Sequence, residues 1–168
     1  MGTMKIKSRN GFTLIEILVV VTILGILAAI VIVATQDYVH QANESIAKDN
    51  LRTLRNTVQL YTLQHNNVPP GYVNGELVND SFIIQLTEKT NAQGEYISSG
   101  AEGCRFGPYL QSMPFNPFNN KEKSVLTITG DFPAEATGEQ GWLYQPFSKM
   151  VKLNAAGSDT QGVKYYDY

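Results

Sequence analysis

The chain has a single cysteine, Cys104, so no internal disulfide is available and a folded domain must rest on packing and hydrogen bonds. A lone thiol between Gly103 and Arg105 reads as a small buried hydrophobe. Histidine is almost as scarce. His40 and His65 lie far apart without metal-ligand spacing, and each reads as a surface residue. There is no Gly-x-Ser-x-Gly elbow, phosphate-binding glycine loop or zinc motif, so no enzymatic activity is expected. Basic residues form no stripe and the formal charge is −2, which argues against general nucleic-acid affinity. Proline and glycine are missing from Ile26 to Asn67, and no acid precedes Glu16.

What is present begins with an apolar run. Between Phe12 and Ala34 the only strongly polar group is Glu16, and about 23 residues at 1.5 Å each make a helix of about 35 Å, enough to cross a bilayer. Lys5, Lys7 and Arg9 precede it, so the amino end is expected in the cytoplasm and the rest outside. An ionised acid in hydrocarbon costs roughly 2.5–3.5 kcal/mol on an insertion scale, which the apolar neighbours outweigh. Stability therefore gives no reason for Glu16. One reading is an interfacial residue that snorkels, the other an acid awaiting a cationic partner in another chain. A conventional secretory signal would have a shorter apolar core and no acid there.

The uninterrupted motif Gly11-Phe12-Thr13-Leu14-Ile15-Glu16, in register with the basic leader and the span, resembles the class III signal of type IV pilins and type II secretion pseudopilins. The resemblance implies cleavage by a prepilin peptidase between Gly11 and Phe12, N-methylation of the new terminus, and a pairing of Glu16 with the Phe12 amine of a neighbouring subunit. It implies self-assembly into a helical filament, an inner-membrane assembly platform with its ATPase, and minor pseudopilins as further partners. The chain would sit in the bacterial inner membrane with its head periplasmic or extracellular. Cleavage removes three of the thirteen basic residues and no acid, taking the formal charge from −2 to −5. Many type IV pilins close a carboxy-terminal loop with a disulfide, which one cysteine does not allow, and this tilts the reading toward a pseudopilin. Pilins often have a proline about eight residues after the mid-span glycine. Here Gly25 matches but Val33 takes that place, leaving only the mild weakening of a helical glycine, about 1 kcal/mol relative to alanine.

Beyond the span, Val39, Ala42, Ile46, Ala47, Leu51, Leu54, Val58 and Tyr61 recur at three- and four-residue steps. A continuous helix from Phe12 to about His65 is predicted, ended by Asn66-Asn67 and Pro69-Pro70. Asn79-Asp80-Ser81 offers caps for a short helix over 82–89 with Phe82, Ile83 and Leu86 inward. The proline-rich stretch 107–118 is expected to seal the core edge with its aromatics. Val125–Thr129, Gly141–Tyr144 and Met150–Asn154 read as strands, the last two as a hairpin and all three as a small antiparallel sheet on the helix. The tail from Gly157 is left open between an edge strand and a free end.

The expected fold is thus α+β and pilin-like: a leader over 1–11, a transmembrane or filament-core helix over 12–34, an amphipathic continuation over 35–67 and a head over 68–168. Heads similar to this one hold calcium in a carboxy-terminal loop in some members. Asp159 and Asp167 are the acids placed for it, the alternative being a polar turn. The function expected is a structural subunit of a type II secretion pseudopilus. The alternatives are a type IV pilus subunit and a non-polymerising, membrane-anchored periplasmic binding domain.

Overall fold

The computed structural model describes residues 11–119 and 123–168, without the side chains of residues 30–37. The leader, apart from Gly11, therefore lies outside the described residues, as do the side chains at the far end of the predicted span. The chain divides into two compact units, Met1–His40 and Gln41–Tyr168.

Helix α1, Leu14–Gln64, is one unbroken α-helical run, as the absence of proline and the apolar periodicity require, and residues 25–33 interrupt nothing in it. Two successive asparagines end it in the left-handed region, Asn66 at φ 52° and Asn67 at φ 67°. In the first unit every described side chain from 11 to 29 is exposed. No helix is long and apolar enough among the described residues to cross a membrane.

In the second unit, Ala47, Leu51, Leu54, Val58 and Tyr61 form a stripe that is at most 2% exposed. Burial begins later than the periodicity suggests. Val39, Ala42 and Ile46 are exposed, and Glu44 is buried on that part of the helix by the carboxy-terminal loop. Against the stripe pack α2, Ser81–Thr87, through Phe82 and Leu86, and a sheet through Trp142, Tyr144, Val151 and Leu153. The predicted caps of α2 do not act as caps: Asp80 sits at φ 68° and its side chain makes no capping bond. Met113 is buried, Tyr109, Leu110 and Phe118 pack on the core, and Phe115 stays exposed, so the proline-rich stretch seals the edge with most of its apolar residues.

Two strands absent from the prediction, β1 (Tyr72–Val73) and β2 (Glu76–Leu77), pair around Asn74-Gly75. Both turn residues have positive φ, 52° and 83°, the geometry that an Asn-Gly hairpin turn demands. The main sheet has the order β3 (Val125–Thr127), β4 (Trp142–Gln145), β5 (Met150–Leu153). The β4–β5 hairpin forms as expected, with Trp142 opposite Leu153. The fully antiparallel sheet does not, because β3 runs parallel to β4. Residues 128–141 supply the crossover of a dozen or more that a parallel pair needs. Buried Asn154 fixes that crossover: its Oδ1 accepts from Thr137 N (2.8 Å) and Gly138 N (3.1 Å), and its Nδ2 donates to Gln140 O (3.0 Å).

Candidate functional site

At the start of α1, Gly11 and the 79%-exposed Phe12 stand before the helix, with no atom within 4 Å of where a Cβ on Gly11 would lie. Thr13 then caps the helix. Its carbonyl accepts from Ile17 N (3.3 Å), and its Oγ1 accepts from Glu16 N (3.3 Å). Glu16 answers: its Oε2 accepts from Thr13 N (3.0 Å) and from the Thr13 hydroxyl (3.1 Å). This is a reciprocal capping box. The capping role of Thr13 has a local sequence signal, since Thr13-Leu14-Ile15-Glu16 has the spacing of that motif. The box places the exposed carboxylate in the first turn of the helix, where the helix dipole favours an anion.

In the second unit the tail is neither an edge strand nor a free end. A bridge between Ser158 and Lys164 and a 3-10 turn, Tyr165–Asp167, close it into a loop tied to α1. Glu44 accepts from Thr160 N (3.1 Å), and Arg55 donates to Val151 O (3.1 and 3.0 Å) and Tyr168 O (2.6 Å). Asp159 lies at the centre. Its Oδ1 accepts from Gln161 N and Val163 N (both 2.9 Å), and its Oδ2 from Tyr168 Oη (2.9 Å) and Lys48 Nζ (3.2 Å). Burial opposes its charge, but donors from Val163, Tyr168, Lys48 and Gln161 outweigh it and hold the carboxyl down at about 2. Lys48 also lies 4.4 Å over the Tyr168 ring.

These donors do not fit a calcium ion. The Asp159 oxygens are occupied by four donors, Asp167 is exposed, and no group of three or more His, Cys, Asp or Glu among the described residues is arranged to hold a metal. Calcium takes six to eight oxygens. An ammonium from α1 serves where a cation was expected.

His65 corrects the sequence reading, being 1% exposed rather than on the surface. It stacks on Tyr61 at 3.8 Å, with Nδ1–H donating to Tyr61 O (2.9 Å) and Nε2 accepting from Thr90 Oγ1 (2.9 Å). Burial lowers its proton affinity. His40 is exposed as expected. Cys104 is only half-buried, its Sγ 3.4 Å from Ala101 O.

Residues 6–32 match the prokaryotic N-terminal methylation motif. The chain is similar to the type II secretion system core protein G of Pseudomonas aeruginosa, 29% identical over 82% of this chain and 89% of that protein. Its counterpart in Vibrio cholerae is 28% identical over 82% and 87%. A fimbrial protein of Neisseria meningitidis is 33% identical over 54% of this chain and 48% of that protein. No solved structure matches.

Proposed function

We propose, on the premise that the chain is a member of the type IV pilin and type II secretion pseudopilin family, that it is the structural subunit of a type II secretion pseudopilus. A prepilin peptidase cuts between Gly11 and Phe12, the methylated Phe12 amine becomes the amino terminus, and residues 12–34 hold the subunit in the inner membrane until a platform and its ATPase draw it into the filament. The leader is then 1–11, the membrane and filament-core helix 12–34, its amphipathic continuation 35–67 and the head 68–168. The head is periplasmic and the cytoplasmic end is lost with the leader. Minor pseudopilins share the filament.

One observation carries this reading: the described apolar side chains at the start of α1 are all exposed, with a single carboxylate among them. Like helices of sister subunits would cover such a surface, and the Phe12 amine of one would meet Glu16 of the next. Each charge is costly alone in an apolar bundle and offsets the other when the axial stagger is right. Glu16 thereby sets register. The Thr13 bonds use Oε2 and lie beyond the cut, so cleavage leaves them in place. The relatives favour secretion over a surface pilus, because the similarity to the core G proteins runs through most of the head while that to the fimbrial protein covers about half of the chain.

Glu16→Ala is expected to leave cleavage and membrane insertion intact and to abolish filaments in sheared fractions. Mass spectrometry of the membrane-extracted protein should show a chain beginning at a methylated Phe12. A chain that keeps residues 1–11 in cells with an active peptidase, or wild-type filament yield from Glu16→Ala, would sink the proposal in favour of a tethered binding domain.

A further inference from the structure

On the second unit, Lys48, Arg52, Arg55, Asn56, Gln59 and Tyr168 line a groove of about 440 Å³ along α1. The charged side chains of its wall are all cations, and they are not equally engaged. Lys48 is neutralised by Asp159 at 3.2 Å. The bonds of Arg55 go to the carbonyl oxygens of Val151 and Tyr168, which satisfy its donors and leave its charge whole. Arg52 is exposed and has no side-chain hydrogen bond or ion pair among the described residues. Asp49 is exposed on the same helix but does not line the groove. What the groove offers is two guanidinium groups and two side-chain amides, a set of donors that matches a carboxylate.

The same chain carries the complement elsewhere. No lysine or arginine occurs from Ser124 to Ser148, and within that stretch Asp131, Glu135 and Glu139 are all exposed. None of the three has a side-chain hydrogen bond or ion pair among the described residues. Their backbone is already held, by Asn154 at Thr137, Gly138 and Gln140 and by the Tyr166 hydroxyl, which donates to Pro133 O (2.6 Å). A segment ordered in advance loses little freedom on docking. Glu135 stands between Ala134 and Ala136, whose short side chains leave its carboxylate free to enter a groove. Lys164 shares a hollow with Glu135 but makes no ion pair with it. Glu76 and Asp80 are exposed too, but as single acids on separate elements, in β2 and just before α2.

A helical filament joins its copies head to tail, so each contact pairs two different patches of one chain. Resting on the filament reading, we propose that the groove of one subunit receives residues 131–139 of a second copy, with the Glu135 carboxylate between Arg52 and Arg55. The contact uses residues of the second unit alone, so cleavage before Phe12 and the pairing of Glu16 do not depend on it.

The test is charge reversal in the full chain, in cells whose wild-type filaments are recovered by shearing. Arg52→Glu and Glu135→Arg, both at exposed positions, are each expected to lower filament yield about tenfold or more, because like charges then face one another. Cleavage and the melting temperature of the full chain should stay unchanged. The double variant restores opposite charges and should return the yield to within about threefold of wild type, a coupling that two independent surface changes do not show. Wild-type yield from either single variant, or a double variant no better than the singles, would overturn the contact and leave the filament reading in place. Loss with Arg52→Glu alone would assign the groove to an acid of another protein, which also overturns it. Absence of filaments from the wild-type chain itself would remove the filament reading and this contact together.

Discussion

Residues 14–29 of α1 and residues 44–64 of the same helix each carry four leucines, yet they meet opposite surroundings. Every described side chain of the first stretch is exposed, whereas Leu51, Leu54 and Val58 of the second are at most 2% exposed. The difference lies in what alternates with the apolar residues. Lys48, Arg52 and Asn56 give the second stretch a wet side, so one stripe is enough to bury. The first has no wet side beyond Glu16 and Thr22, and a helix apolar all round is built for surroundings that its own chain does not supply.

That contrast can be sharpened by truncating a leucine in each stretch. Leu54→Ala removes a fully buried side chain and is expected to cost about 2–5 kcal/mol of head stability, read by denaturant unfolding. Leu24→Ala, at a 58%-exposed position, should change the same measurement by no more than about 0.5 kcal/mol and show its effect only in filament yield. Equal losses would mean that the first stretch is buried within its own molecule.

The second stretch also differs in being tied by polar bonds to the end of the chain. Arg55→Ala removes donors to Val151 O and Tyr168 O and should cost about 1–3 kcal/mol, with hydrogen exchange at residues 163–168 rising most. Asp159→Asn tests the same tie by pH. The folded carboxyl titrates at about 2, below its ordinary 3.8, so its contribution is complete above about pH 4 and fades as pH falls through 2. Wild type and Asp159→Asn should therefore melt apart at pH 7 and together below pH 2. The smallest effect is expected from a chelator. With Lys48 on the Asp159 carboxylate, EDTA and added calcium should both leave the melting temperature of the full chain unchanged, and a calcium-dependent rise would break the account of the loop.

Much of this was legible because its signals are local. The motif from Gly11 to Glu16, the long helix and the aromatic β4–β5 hairpin are each written within a few neighbouring residues. The capping box of Thr13 and the Asn74-Gly75 turn are equally local, written in four residues and in two. His65 was not readable in this way: a polar ring at the end of a helix has no sequence mark of burial until Tyr61, Thr90 and Phe106 close around it.

By itself, then, the sequence determined an unbroken helix, the apolar surface at its beginning, the acid set into that surface and the stripe that would carry a head. Periodicity and the absence of proline act over a few residues, and no distant contact reverses them. Tertiary structure alone decided that β3 runs parallel to β4, that Asn154 pins the crossover between them, and that the last eleven residues turn back onto Glu44, Lys48 and Arg55. These depend on which distant segment arrives beside which, over separations such as the 111 residues between Lys48 and Asp159, where no local preference reaches.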